Sequence, residues 1–339
     1  MADSTLPPFI QALLQSGAGA YPHPAPEVTL VQTHISYVLL AGDFVYKIKK
    51  PVDFGFLNFT TLEKRKHFCE EELLLNRRLC PSLYLGLVAI TEQDGGFSLD
   101  GPGTPVEYAV KMARMPEERM MAKVIGQGGL SKEILDRIIG ILVPFYAKAE
   151  SGPAIEKFGT ALAVSVNVLE NFEQTQGFIG CAALSQEQFE AISGYARDFL
   201  KKEELFAARI AAGRVRDCHG DLYSANICLA EEIYIYDCIE FNQRFRYCDV
   251  ASDVAFLAMD LDFHGLPELS HYFIERFCQA AGDTTLLPML NFYKCYRAYV
   301  RGKIGLFTAH APEVDPATAE TCLNQAKKYF ALAQRYAAS

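Results

Sequence analysis

One stretch, Val215 to Asp253, constrains this chain more than any other. Its centre reads His219-Gly220-Asp221-Leu222-Tyr223-Ser224-Ala225-Asn226. Two short apolar runs follow, Ile227–Leu229 and Ile233–Tyr236, around Ala230-Glu231-Glu232, and they end at Asp237. Apolar runs of that length, rich in Ile and Tyr and parted by a polar turn, read as a hairpin. A hairpin between Asn226 and Asp237 folds the chain back, so that an amide oxygen and a carboxylate can face one hard cation that prefers oxygen. A lone H-x-D would do no more than tie down a turn. The amide and the second carboxylate at fixed offsets ask for chemistry.

His219, Asp221, Leu222 and Asn226 match the kinase catalytic-loop pattern H-R-D-L-x-x-x-N, with Gly220 in place of the arginine. The segment resembles the aminoglycoside phosphotransferase and choline kinase-like enzymes of the protein-kinase-like superfamily, which use an H-G-D loop to phosphorylate small molecules. The resemblance implies a two-lobed α+β fold, with a small antiparallel-sheet N-lobe holding one main helix and a mainly helical C-lobe. It implies Asp221 as the base that takes or orients the proton of the attacking hydroxyl, with His219 and Asn226 in the same catalytic loop. Asn226 and Asp237 become the magnesium ligands. ATP is the expected phosphoryl donor, with GTP left open.

Bulk properties exclude several other classes. At 339 residues the chain can bury a core and form one large domain or two lobes. A formal charge of −9 argues against nucleic-acid binding, which needs clustered Lys and Arg. Of ten cysteines no two form a C-x-x-C pair, and Cys218, Cys228, Cys238 and Cys248 fall ten apart, which is no zinc spacing. Buried free thiols in a reducing cytosol are the expectation. No basic-then-apolar leader opens the chain, and no apolar run reaches the roughly 18 residues of a membrane span. A soluble cytoplasmic protein is expected.

Along the chain, residues 1–27 read as a short helix at about Leu6 to Gln15 and a proline-rich connector, outside the resemblance. A nucleotide-binding N-lobe is expected over 28–115, with strands near Val28–Val31, Tyr37–Ala41, Phe44–Ile48, Leu83–Thr91 and Val106–Met112. The usual glycine loop is absent. Thr33-His34-Ile35-Ser36 stands in its place, either as phosphate contacts through Thr33, His34 and Ser36 or as a plain polar turn. Val45-Tyr46-Lys47-Ile48-Lys49 resembles the V-A-I-K strand, and Lys47 and Lys49, two apart, share a face. Lys47 is the preferred phosphate lysine, and a solvated Lys49 is expected. Thr60 and Glu63 form a T-x-x-E box opening a helix to about Leu79. Glu70, Glu71 and Glu72 all qualify as the glutamate that pairs with the strand lysine, and the resemblance points to Glu72. Asp53-Phe54-Gly55 spells a kinase metal motif, but it precedes the catalytic loop by more than 160 positions and reads as a turn.

The segment 112–116 is the expected hinge, where Met112 and Met115 either sandwich an adenine ring or serve the core. A helical C-lobe over 117–339 carries the catalytic loop 219–226 and Asp237. Its helices are expected near Glu117–Ile125, Ser131–Glu150, Ala161–Phe172, Ser185–Ala212, Leu286–Phe307 and Ala317–Ala337. Glu240 is read as a contact to metal or substrate, or as a surface salt bridge. Asp249 and Asp253, four apart at a helix start, are assigned to support of the catalytic loop. Lys294, Arg297 and Arg301 form a stripe that pairs with those aspartates or receives an acidic substrate.

These expectations amount to magnesium-dependent transfer of the ATP γ-phosphate to a hydroxyl of a small molecule. The rivals are a nucleotide-binding pseudokinase or regulatory partner module, and a protein Ser/Thr kinase. The latter needs an activation segment for which the dozen residues after Asp237 leave no room. Thr33-His34-Ile35-Ser36, Lys49-Lys50-Pro51-Val52 and the Asp249–Leu257 segment look like a bacterial subgroup often fused to a P-loop domain. This chain has no G-x-x-x-x-G-K-[ST], so a P-loop protein encoded separately is a candidate partner. No nucleic acid or membrane partner is expected.

Overall fold

The computed structural model describes residues 6–15, 17–312 and 314–339. The chain divides into two compact units. One comprises residues up to Met120 together with Cys228–Gln243, and the other comprises Met121–Ile227 and Arg244–Ser339.

The first unit is built on a six-stranded antiparallel sheet of order β1-β2-β3-β6-β4-β5. Its strands are β1 (Val28–Gln32), β2 (Ser36–Ala41), β3 (Phe44–Lys49), β4 (Tyr84–Gln93), β5 (Gly96–Leu99) and β6 (Thr104–Ala113). The β2–β3 turn runs through Gly42 at φ +60, a left-handed position where an added Cβ would also meet the Pro24 carbonyl at 2.7 Å. The period-two alternation of β3 decides what lies on each face. Tyr46 and Ile48 enter an apolar cluster with Leu39, Ile90 and Ala109, and Ile10 and Leu13 of the helix Pro8–Gln15 are buried in it. Ile10, Leu13, Ala20, Tyr21 and Ala25 thus contribute core to this unit, although the resemblance did not reach them.

Val45 faces the opposite cluster, made by Cys69 and Leu73 of the helix Leu62–Asn76 with Tyr84, Val110 and Met112. Lys47 and Lys49 share that face. The helix begins one residue later than the T-x-x-E box suggests. Thr61 is its N-cap, accepting from Lys64 N at 3.3 Å, while the Thr60 hydroxyl donates to Asn58 at 2.7 Å. It also stops at Asn76 rather than near Leu79.

Residues Cys228–Gln243 lie far downstream in sequence, yet local bonds tie them here. The Cys238 amide donates to Asn76 Oδ1 at 2.9 Å, and the Asp237 amide donates to the Tyr84 hydroxyl at 3.2 Å. Asp53-Phe54-Gly55 is a turn, as its position in the chain implies: Asp53 Oδ1 accepts from Gly55 N at 2.9 Å and Oδ2 from Asn58 at 2.7 Å.

The second unit is mainly helical. The helix Val250–Phe263 is its axis, with every residue from Val250 to Leu261 buried. The helices Pro267–Ala281 and Leu287–Ala309 pack on it, and Pro316–Ala337 runs against the latter. Gly302 permits that approach, since a Cβ there would sit 2.8 Å from the Phe330 ring. Two short strands, β7 (Val215–Asp217) and β8 (Tyr247–Asp249), pair antiparallel and flank the catalytic-loop sequence. The expected helix Ser185–Ala212 is two helices, Gln186–Leu200 and Glu203–Ala211. No Gly or Pro marks the break. The second helix buries Arg209, whose guanidinium grips Asp249 at 2.6 Å and Asp283 at 2.6 Å, and that pairing fixes its direction.

Candidate active site

In the first unit the site is a buried charge cluster. Because residues 69, 72, 73 and 76 recur at helical spacing, Glu72 turns inward with the apolar residues of its helix and is fully buried. Its two oxygens meet two lysines: Oε1 lies 2.8 Å from Lys47 Nζ, and Oε2 lies 2.8 Å from Lys49 Nζ. Each lysine has a second acid. Lys47 Nζ reaches Asp237 Oδ1 at 2.5 Å, and Lys49 Nζ pairs with Glu240. Asp237 is held at φ 65, a left-handed backbone that is uncommon outside glycine and that clusters at functional sites.

The electrostatics follow from burial set against pairing. Burial opposes ionisation of Glu72, but Lys47 and Lys49 outweigh it and pull its pKa down to about 2. Burial likewise disfavours the Lys47 ammonium, and Asp237 and Glu72 outweigh it, holding the amine well above its ordinary value. Glu240 differs: burial, helped by the like charge of Glu72, raises its carboxyl despite Lys49.

The two lysines are not equivalent. The Lys49 side chain is 1% exposed and its ammonium lies 4.9 Å from the centre of the Phe59 ring, whereas Lys47 is 16% exposed. The expectation of a solvated Lys49 is therefore corrected, as is the surface salt bridge for Glu240. Both are buried, because residues 45, 47 and 49 share the face that the helix Leu62–Asn76 covers. Among Glu70, Glu71 and Glu72 only Glu72 is buried.

The other candidates in this unit are placed as follows. Thr33 caps a turn, its Oγ1 accepting from Ile35 N at 3.3 Å and Ser36 N at 3.0 Å, and His34 is exposed. Ser36 pairs with Lys49 across β2 and β3, and its buried hydroxyl has no partner. Met112 is buried in the cluster under the helix, and Met115 is partly buried against it.

In the second unit the catalytic-loop sequence forms a tightly bonded loop. The Asp253 carboxylate, fully buried, accepts from His219 N at 2.7 Å and Gly220 N at 2.9 Å, and the Tyr146 hydroxyl donates to it at 3.2 Å. Gly220 sits at φ 88, and its carbonyl accepts from Arg297 Nη1 at 2.9 Å. His219 Nδ1 accepts from the Asp221 amide at 3.2 Å. Further on, Ser224 N donates to Asp260 Oδ2 at 2.9 Å. Asn226 Nδ2 donates to Asp221 Oδ2 and to Asp221 O, each at 2.9 Å. Asp221 and Asn226 are thus brought together.

Asp249 caps the helix Val250–Phe263 through Ala251 N at 2.9 Å and pairs with Arg209. Its partner is therefore not the stripe of Lys294, Arg297 and Arg301. Lys294 pairs with Asp262 at 2.8 Å, and Arg297 lies 3.8 Å from Asp253. Several contributors went unread in the sequence. Asp260 had a signal, since it falls seven residues from Asp253 on the same helix face. Asn76, four residues after Glu72, had a similar one. Tyr84, Tyr146 and Arg209 had none, because their partners are remote in sequence.

The donors suit a hard cation. Asp237, in the first unit, presents a carboxylate that is 41% exposed. Magnesium is commonly bound through one or two carboxylates with nucleotide phosphates completing the shell. Among the described residues no helix is long and apolar enough to cross a membrane.

An α+β chain with an antiparallel sheet, one main helix over its lysine strand and a helical second unit has a protein-kinase-like fold. Solved structures agree. A choline/ethanolamine kinase family protein from Mesorhizobium loti matches with a TM-score of 0.53 at 12% identity, over 94% of both chains. A candidate aminoglycoside phosphotransferase from Ralstonia eutropha matches with a TM-score of 0.50 at 11% identity, over 97% of both. At those identities the likeness is one of fold. Uncharacterized proteins of Mycobacterium tuberculosis and Mycobacterium bovis are 34% identical over 281 residues, which is 82% of this chain and 55% of theirs. The chain therefore spans about half the length of the curated relatives it matches. No family model matches the sequence.

Proposed function

We propose that the protein is a phosphotransferase with an alcohol acceptor, a kinase that moves the γ-phosphate of ATP to a hydroxyl of a small molecule. The observation that carries this reading is the Lys47–Glu72 pair with Asp237 on the same ammonium. Kinases orient a strand lysine toward the nucleotide phosphates by a helix glutamate and hold magnesium with an aspartate. Lys47 is the phosphate lysine of this account, being the more exposed of the two and the one joined to Asp237. Lys49 is a buried counterion for Glu72 and Glu240.

Asp237 and Asn226 would hold magnesium, which would neutralise phosphate charge. The rest falls to the chain itself. Asp221 takes the hydroxyl proton as the acceptor oxygen bonds to the γ-phosphorus, and the bond to the β-bridging oxygen breaks with its electron pair leaving on ADP. Asn226 fixes the Asp221 carboxylate through Nδ2, and Asp253 fixes the loop backbone. Only nine residues separate Asp237 from the strand Tyr247–Asp249, which favours a small acceptor over a protein one.

Thermal denaturation with ATP, GTP and ADP, each with and without magnesium, tests the nucleotide half. A ligand that binds only the native state raises the melting temperature by mass action. The expected result is a magnesium-dependent shift in the wild type that Asp237→Ala abolishes. No shift with any nucleotide would overturn the reading, and a tight shift without transfer to any acceptor would favour a pseudokinase.

A further inference from the structure

Arg301 stands out among the charged residues of the second unit. It lies on the helix Leu287–Ala309 with its guanidinium 4.7 Å from the centre of the Tyr223 ring and 5.9 Å from that of Tyr329. Tyr223 is two residues beyond Asp221, and Asp221 is among the charges that act on Arg301. The Arg301 Nε is buried with no hydrogen-bond partner, and no carboxylate pairs with the guanidinium among the described residues. The residue is partly buried and its guanidinium bonds to the Tyr329 hydroxyl, but it has no acid to balance its charge, and such a cation beside the reacting loop marks a place for an anion from outside.

The surrounding acids are already engaged. Asp253 holds two loop amides, Asp260 holds Ser224 N, Asp262 holds Lys294 and Tyr336, and Glu170 pairs with Arg244 at 2.5 Å. Aromatic faces that would suit a quaternary ammonium are covered too. Tyr223 stacks on Phe256 and Tyr329 on Phe263, and Arg301 lies over both tyrosines. Apart from Asp221, which the reaction itself uses, a cationic acceptor finds neither a spare carboxylate nor an open aromatic cage at this place.

We infer that Arg301 receives an anionic group of the acceptor, so that the substrate is a hydroxyl compound carrying a carboxylate or a phosphate. A planar guanidinium matches either oxyanion with two parallel hydrogen bonds. The inference rests on the kinase reading above and names its substrate class. Transfer is as written there: the acceptor oxygen bonds to the γ-phosphorus, its proton passes to Asp221, and ADP departs with the electron pair. Arg301 holds the far end of the acceptor and takes no proton.

The test is a panel of sugar phosphates, sugar acids, neutral sugars and amino alcohols, followed by ADP release and by thermal stabilisation, in wild type, Arg301→Gln and Arg301→Lys. The expected result is that an anionic class is preferred, and the panel separates phosphate from carboxylate. Arg301→Gln raises the acceptor KM about 10- to 100-fold, the worth of one hydrogen bond to a charged group. The KM for ATP moves little, and Arg301→Lys recovers part of the loss. Stabilisation by the anionic compound should need Arg301 even where turnover is slow. Preference for amino alcohols or neutral sugars, or no Arg301-dependent binding or transfer of any anionic compound, overturns the inference. Loss of nucleotide binding in the wild type would instead sink the kinase reading.

Discussion

Replacing Glu72 by Gln keeps the shape of the side chain and removes its charge from between Lys47 and Lys49. The carboxyl pKa falls from 4.5 to about 2 in the folded protein. That is roughly 2.5 pH units at about 1.4 kcal/mol each, so ionised Glu72 stabilises the fold by about 3 kcal/mol at neutral pH. Breaking a buried pair ordinarily costs about 3–5 kcal/mol. The low end fits here, since Lys47 retains Asp237 and Lys49 retains Glu240. The pH dependence has a definite sign. The folded pKa is depressed, so the contribution is complete above about 4.5 and disappears as pH falls toward about 2. Urea unfolding of wild type and Glu72→Gln at pH 7, and in steps down to pH 3, measures both. The expected gap is about 3 kcal/mol at pH 7, narrowing on the acid side. A gap below about 0.5 kcal/mol would mean that the cluster behaves as a solvated surface bridge. A gap independent of pH would refute the charge assignment.

Asp253→Ala leaves the amides of His219 and Gly220 and the Tyr146 hydroxyl without their acceptor in a dry site, at a cost of about 3–5 kcal/mol in urea unfolding. Lys47→Met and Lys49→Met should part company. The first lowers affinity for magnesium–ATP in a thermal-shift titration, and the second mainly lowers the melting temperature, because it strands the buried Glu240 and leaves Glu72 with Lys47 alone. Equal effects of both on nucleotide affinity would erase the distinction drawn between them. Gly220→Ala forces a side chain onto φ 88 and should cost about 1–3 kcal/mol in stability along with phosphoryl transfer.

Much of the architecture was readable because local signals agreed. Alternation in Phe44–Lys49 placed two lysines on one face, and that face is the covered one. Chain order alone dismissed Asp53-Phe54-Gly55, and the structure makes it a turn. The burial of Lys49 could not be read from its neighbours, since a lysine beside Lys50-Pro51 looks solvated until the acids that meet it are known. Glu72 lies 23 residues away and Glu240 191 residues away. The single-helix reading of Ser185–Ala212 failed for a related reason. Arg209 pairs with Asp249 and Asp283, at separations of 40 and 74 residues, and such pairings override local helix preference. Helix capping at Thr61 rather than Thr60 is a difference of one position between two adjacent threonines.

The most direct test of the central claim is ADP release from ATP with a hydroxyl acceptor, compared in wild type and Asp221→Ala, with nucleotide affinity measured on the same samples. Asp221 is assigned to the acceptor proton and not to the phosphates. Transfer should therefore fall by the 10²- to 10⁴-fold typical of losing a general base, while magnesium–ATP binding persists. Undiminished transfer in Asp221→Ala, or loss of nucleotide binding in its place, would contradict the assignment of the catalytic loop.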